Sequence, residues 1–473
     1  MLLRAIQLIH RYLAVAVSVL IAIWCLSGFV MMYQSFPAFT PAERLQTLAP
    51  LELTQCCAAA LLGDDNEPLR SFRIEMLQGE PVLRQPGVTP VKLRDGQPLE
   101  PLTQAGLLGV AAQYAAGRKL VNASPTWLRE VNVDQWSIQI ANPYQPLQHL
   151  ALGDKAGSQI YVDASTGEIL QDTNRRERVL TWFGAIPHWF YPTVLRRNGP
   201  LWSQIVIWTA VIGVFLTLTG LYLGITSLRR KRDGRLSSPF RGIWYWHHLL
   251  GLSMGLLTLT WVFSGMMTMN PWGLLFGDGG AAIRTQWRGA STHAQLRQFL
   301  ESAPASIAPA QFVQLQGDVV AGELQVLAFR ADGSVQRLNA AAQPDPLDGE
   351  TMERWVRALN TGVESFTRME HPDTYFYGHK VKARLPVYRA ILADAGRTRL
   401  YIDPDTASLR VVDASVRQSR WLISAMHDID LPVLRNRPVW DVLVLLLLGG
   451  VTALALTGCW MALKIIIRSG RKS

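Results

Sequence analysis

The chain has 473 residues, of which 49% are apolar and only 17% charged, against the roughly 25% charged that soluble domains carry. Sixteen tryptophans and a positive mean hydropathy exclude a disordered chain, a collagen and a disulfide-rich scaffold, and leave a membrane protein with sizeable soluble parts. A net charge of +10 suits nucleic acid or an anionic membrane surface, and the placement of the charges favours the membrane, with no nucleic-acid partner.

Taken in order, residues 1–34 hold a short N-terminus and a first apolar run at about 12–34. That run is far longer than the 7–15 residues of a signal-peptide core, and no small-x-small cleavage site follows, so it is read as an uncleaved anchor. Residues 35–200 form a first soluble segment. In it, "GSQIYVDASTGEIL" alternates apolar and polar residues up to an Asp-rich turn, as a β-hairpin does, and 105–116 reads as an amphipathic helix. A second span covers 201–226, a basic loop 227–242 and a third span 243–269. The second soluble segment, 270–437, repeats the pattern with "RTRLYIDPDTASLRVV" and a helix-like piece at 350–362. The last segment, 438–473, holds a fourth apolar run at about 442–463 and a basic tail. Each of the four runs supplies the roughly 20 apolar residues a helix needs to cross the hydrocarbon core.

Orientation follows from charge. The loop 227–242 carries Arg229, Arg230, Lys231, Arg232, Arg235 and Arg241 against Asp233 alone, and the tail adds Lys464, Arg468, Arg471 and Lys472. The positive-inside rule then puts both termini and this loop in the cytoplasm, and the two soluble segments in the periplasm of a bacterial inner membrane.

Four cysteines exclude other chemistries. Cys25 and Cys459 lie in apolar runs, while Cys56 and Cys57 are adjacent, where bridging is strained; no disulfide framework is expected. There is no C-x-x-C-H for covalent haem and no C-x-x-C pair for zinc or thiol redox work.

The chain reads as a tandem duplication. "IHRYLAVAVSVLIAIWCLSGF" and "WHHLLGLSMGLLTLTWVFSGM" align without gaps at an offset of 237, placing His10 on His247, Trp24 on Trp261 and Ser27-Gly28 on Ser264-Gly265. Farther on, Tyr161 and Asp163 match Tyr401 and Asp403. The pattern Arg178, Trp182, His188 recurs as Arg417, Trp421, His427, and Thr219-Gly220 meets Thr457-Gly458. Two parallel helix–domain–helix units predict a four-helix transmembrane bundle with a pseudo-two-fold axis along the membrane normal, carrying two periplasmic α+β domains.

Such an axis turns matched histidines into pairs. His10 with His247 at the cytoplasmic end, and His188 with His427 at the periplasmic end, each offer two imidazoles to one low-spin haem iron. A single histidine at a helix end is more often a snorkelling or carbonyl-bonded group; two repeat-related pairs reverse that reading. Ala14 and Ser18, like Gly251 and Gly255, follow the cytoplasmic histidines on the same helical face and leave room for a flat porphyrin, unless they serve ordinary helix packing. His248 competes with His247 as a ligand. Arg196 and Arg435 stand beside the periplasmic pair as partners for haem propionates or lipid phosphates. Trp24 and Trp261, about 21 Å along the helix from His10 and His247, pack between the cofactors or in an interfacial belt. Tyr375, Tyr377 and His379, followed by Lys380, Lys382 and Arg384, form either a contact patch for an anionic ferric chelate or a buried aromatic strand with a charged edge.

The segments "YVDASTGEIL", "RRERVLTWFGAIPHW", "WYWHHLLGL", "WVFSGMMTMNPWG", "HPDTYFYGH" and "SRWLISAMHDIDLP" together resemble the PepSY-associated transmembrane proteins over nearly the whole chain, and within them the dihaem inner-membrane ferric-siderophore reductases. The resemblance implies PepSY-like periplasmic domains, two b-type haems and a haem-dependent oxidoreductase that passes electrons across the membrane to siderophore-bound ferric iron, in the service of iron uptake. One departure is "TAS" at Thr406, where the first segment has Thr-Gly. Three functions compete: a conduit reducing a ferric siderophore or other ferric chelate, a PepSY-type binding or peptidase-inhibitory protein, and a transporter. A haem electron carrier with another acceptor is a variant of the first. The transporter lacks any charged residue at the midplane of the spans, and the binding module leaves the paired histidines unexplained. No G-x-G-x-x-G fingerprint follows a strand, so electrons come from a cytoplasmic reductase or membrane quinol.

Overall fold

The computed structural model describes residues 1–54, 56–57, 64–141, 145–359, 361–378, 383–434 and 436–470, excepting the side chains of 468–470. The chain divides into two compact units: residues 1–36, 177–277 and 415–473 form one, and residues 37–176 and 278–414 the other.

The first unit contains four long apolar helices: span 1 (Leu2–Met31), span 2 (Gly199–Thr226), span 3 (Ile243–Met267) and span 4 (Val439–Gly470). All four are long and apolar enough to cross a membrane. Span 1 starts ten residues before its apolar run, because Arg4, Arg11 and their neighbours are good helix formers, so His10 sits within the helix rather than ahead of it. Span 2 begins where the Asn198 side chain accepts from Leu201 N, with Pro200 in the first turn where a missing N–H costs nothing. Each helix packs on two others in the ring 1–2–3–4. Glycines set the approach: a Cβ on Gly213 would lie 3.0 Å from Val262, and one on Gly450 2.8 Å from Met254. Gly255 serves packing too, since a Cβ there would meet Leu221 at 2.6 Å.

Between spans 2 and 3 the basic loop folds into a hairpin, with strand pairs Arg229↔Ser237 and Arg230↔Leu236 and a left-handed glycine at its tip (Gly234, φ +82°). In chain order these are β8 (Arg229–Arg230) and β9 (Leu236–Ser237), after the seven strands of the first soluble segment. Residues 177–200, 270–277 and 415–437, expected within the soluble domains, go with the spans instead. Their aromatic side chains pack there: Trp189 and Tyr191 on Phe36, and Tyr191 on Trp202.

The second unit is where expectation and structure differ most. The two soluble segments do not close into separate domains. The first supplies β1 (Phe72–Leu77), β2 (Glu80–Arg84) and β3 (Val91–Lys92), then β4 (Thr126–Val131), β5 (Leu147–Ala151), β6 (Gln159–Asp163) and β7 (Glu168–Thr173). The second supplies β10 (Gln314–Val320), β11 (Glu323–Phe329), β12 (Val335–Leu338), β13 (Val363–Met369), β14 (Val387–Leu392), β15 (Arg399–Ile402) and β16 (Leu409–Val412). Strands β4–β7 form one four-stranded sheet and β13–β16 another, but a third runs β12-β11-β10-β1-β2-β3 through both segments. Its seam is the antiparallel β1–β10 ladder with Ile74 opposite Leu315, both fully buried in one core with Phe72, Phe299 and Val326. Pairing across the seam hides two edges that each segment alone would expose.

Local signals held where they were strong. The helix expected at 105–116 runs Gln104–Gly117, capped by Thr103, and that expected at 350–362 runs Gly349–Arg357, capped by Asp348. Both Asp-rich turns form. Gly167 sits at φ +69° in the first, and Ala407 takes the corresponding place in the second at φ +54°, a left-handed conformation that costs a non-glycine residue about 1 kcal/mol. Cys56 and Cys57 are joined by a disulfide; a bridge between neighbours closes no loop and ties no two elements together, so it makes no framework.

Candidate functional site

Within the membrane unit the four aligned histidines are held in one recurring way. His10 of span 1 meets span 2, its Nδ1 3.1 Å from Leu216 O and 3.2 Å from Thr219 Oγ1. His247 of span 3 meets span 4, its Nδ1 3.0 Å from Thr457 Oγ1. His188 ends a short helix, Ala185–His188, and turns its Nδ1 to span 1, 3.1 Å from Ser27 Oγ and 3.2 Å from Trp24 O. His427 does the same on span 3, with Nδ1 3.2 Å from Ser264 Oγ and 3.3 Å from Trp261 O.

Hydrogen-bond accounting assigns the tautomers. Carbonyl oxygens only accept. The hydroxyls have already given their protons to their own helices: Thr219 to Leu216 O (2.9 Å), Thr457 to Leu454 O (2.8 Å), Ser27 to Trp24 O (3.0 Å) and Ser264 to Trp261 O (3.2 Å). The carbonyls beside Nδ1 of His10, His188 and His427 place the proton there, and His247, held by the matching threonine, is assigned the same tautomer by analogy. In the neutral ring the lone pair is then on Nε2, and none of the four Nε2 atoms has a hydrogen-bond partner among the described residues. All four side chains are half-buried.

One of the two pairs is brought into ring contact. The rings of His188 and His427 stand 6.3 Å apart, centroid to centroid, at an interplanar angle of 61°. His248, the competitor, is spent: its Nε2 is 2.8 Å from Gly224 O and its Nδ1 2.8 Å from Ser238 Oγ, so it pins the basic hairpin to the end of span 2. Among the described residues no three His, Cys, Asp or Glu side chains gather as a cage for a lone metal ion.

Arg196 lies in the segment that follows His188, its guanidinium carbon 5.2 Å from the Tyr191 ring centre and 4.6 Å from that of Trp202. Its Nε is buried without a hydrogen-bond partner among the described residues. Arg435 lies outside the described residues. The indole nitrogens of Trp24 and Trp261 are likewise buried and unpaired.

In the soluble unit, Tyr375 is already engaged: Arg399 stacks on its ring at 4.6 Å, and its backbone N–H bonds Asp373. Asp373 also accepts from the Tyr401 hydroxyl (2.7 Å) and Arg389 (3.2 Å). Burial would raise this carboxyl, but those hydrogen bonds outweigh it and hold it below its usual range. The first segment builds the same hub, Asp134 accepting from the Tyr161 hydroxyl at 2.9 Å. Tyr377 is half-buried, and His379, Lys380 and Lys382 lie outside the described residues. The patch thus contains a structural hub at Asp373.

Four residues that matter most here were printed in the sequence without a role. Ser27, Ser264, Thr219 and Thr457 each precede a glycine inside a span, and their recurrence was the one local signal of what they do. No curated protein and no solved structure matches the chain. The family model of the PepSY-associated TM region matches residues 7–464, and the chain belongs to that family.

Proposed function

We propose that this protein is a dihaem electron-transfer protein of the bacterial inner membrane that reduces ferric iron, held in a siderophore or other ferric chelate, at the periplasmic face and releases ferrous iron there. The observation that carries the reading is the set of four Nε2 lone pairs left unspent, in two pairs, by histidines whose Nδ1 protons are all fixed. A haem iron would ask the chain for two imidazoles and no cage of further ligands. Two imidazoles that were to share one iron would need their ring centres roughly 6 Å apart. The 6.3 Å spacing of His188 and His427 fits that.

In this reading His10 and His247 hold the cytoplasmic-side haem, and His188 and His427 the periplasmic-side one. Arg196 and Arg435 receive propionates. Buried Arg196 Nε, with no hydrogen-bond partner among the described residues, suits a carboxylate. Bound haem supplies a one-electron ferric/ferrous couple at each pair. The chain's own work is to orient the imidazoles, keep them neutral and exclude water from their apolar surroundings. The duplication underlies the pairing, and the segments around β1–β7 and β10–β16 are PepSY-like. Tyr375 and Tyr377, with His379, remain candidates for contact with the ferric chelate. Electrons arrive at the cytoplasmic end from a soluble reductase or membrane quinol.

Pyridine haemochrome and metal analysis of the purified protein should give two b-type haems per chain. His10→Ala or His247→Ala should remove one of them, and His188→Ala or His427→Ala the other. A stable haem-free preparation from haem-replete cells, or four variants that keep both haems unchanged, would sink the reading.

A further inference from the structure

Each span carries one Ser-Gly or Thr-Gly pair that meets a histidine from another element: Ser27-Gly28, Thr219-Gly220, Ser264-Gly265 and Thr457-Gly458. We infer that the four hydroxyls are positioning residues that set the reduction potentials of the haems, and that the glycines make room for the rings to reach them. The inference rests on the haem reading above.

The geometry has two halves. Each hydroxyl stands 3.0–3.2 Å from an Nδ1, with its own proton tied to a carbonyl of its helix. It therefore draws on the imidazole N–H, which raises the basicity of Nε2. A more basic axial nitrogen favours ferric over ferrous iron. The glycine then clears the approach. A Cβ on Gly220 would lie 2.8 Å from His10 Cε1, on Gly458 3.2 Å from His247 Cε1, and on Gly265 3.3 Å from His427 Cε1. These contacts are with a ring hydrogen-bonded through Nδ1, which gives way less readily than a flexible chain end would. Gly28 differs, because the side chain next to it is Leu448 at 3.4 Å. Each seat also crosses between helices: span 2 orients the histidine of span 1, and span 1 orients the histidine preceding span 2, with spans 3 and 4 repeating the exchange.

The test is spectroelectrochemical titration of the full-length purified protein. Thr219→Val and Thr457→Val should raise the potential of the His10/His247 haem, and Ser27→Ala and Ser264→Ala that of the His188/His427 haem. About a tenfold change in the ferric/ferrous ratio at fixed potential, or ~59 mV, is expected for each. The other haem should stay put, and Thr219→Ser and Thr457→Ser should restore the original value. Gly220→Ala should lower occupancy of the His10/His247 haem alone. If a valine or alanine variant loses its haem, loss confined to the matching site with rescue by the serine variant supports the inference. Loss of both haems, or no rescue, opposes it. Haem-replete variants with unchanged potentials would overturn this inference and leave the haem reading standing; a haem-free wild type would sink both.

Discussion

Glu75 is the most enclosed charge in the soluble unit, and its surroundings decide how the protein meets acid. It lies fully buried on β1, bonded to Arg44 (2.7 Å) and to Gln314 across the β1–β10 seam (2.5 Å), with Arg73 and Arg84 at 3.4 Å. Burial by itself would raise its pKa; the three guanidinium groups outweigh that and hold it at about 2. A carboxylate depressed in the folded state stabilises the fold above the unfolded pKa, about 4.5, and that contribution is lost as pH falls through about 2. Thermal unfolding followed from pH 6 to 2 should therefore show a steep acid limb that Glu75→Gln flattens. Glu75→Ala strands buried guanidinium charge and should cost about 3–5 kcal/mol. An acid limb identical in Glu75→Gln and wild type would show that other carboxylates control it.

At the scale of elements, the basic hairpin is more ordered than a topology signal requires. Positive charge alone suffices to hold a loop in the cytoplasm, yet β8 and β9 pair, Lys231 N bonds Arg235 O, and buried His248 ties Ser238 to the end of span 2. Residues 229–236 are all exposed and rich in arginine, so the hairpin offers trypsin many sites and resists through its order alone. Removing one hydrogen bond worth about 1 kcal/mol with Ser238→Ala should speed tryptic cleavage between Arg229 and Arg235 roughly fivefold, read by mass spectrometry of the native protein. An unchanged rate would mean that His248 does not restrain the hairpin.

For the whole molecule, the recurring His–hydroxyl seats give the two ends of the bundle the same chemistry, so direction must come from what reaches each end. In the proposed function a donor would meet the cationic hairpin end. The acceptor meets the end from which the two soluble segments emerge in the proposed topology. In sealed, oriented vesicles the prereduced protein should be oxidised by a ferric siderophore added on the periplasmic side, with ferrous iron trapped there by a ferrous chelator. Added on the cytoplasmic side, the same complex should leave the haem spectrum reduced. Equal oxidation from both faces, or none with any of several ferric chelates, would leave an electron carrier with a different acceptor.

The sequence by itself determined the four spans, because twenty-residue apolar runs are a local property, and it determined the four matched histidines, because a repeat is visible as spacing. It also printed the Ser-Gly and Thr-Gly pairs, whose partners lie up to 210 positions away, too far for any local pattern to announce. Only the tertiary structure told His247 from His248 in its surroundings: both ring nitrogens of His248 have hydrogen-bond partners, and among the described residues only one of those of His247 does. Only the tertiary structure showed that the two soluble segments share a sheet. The alternation in β1 and β10 says that each is a strand, but pairing between residues such as Ile74 and Leu315 is settled by which buried faces and free edges meet when the whole chain folds.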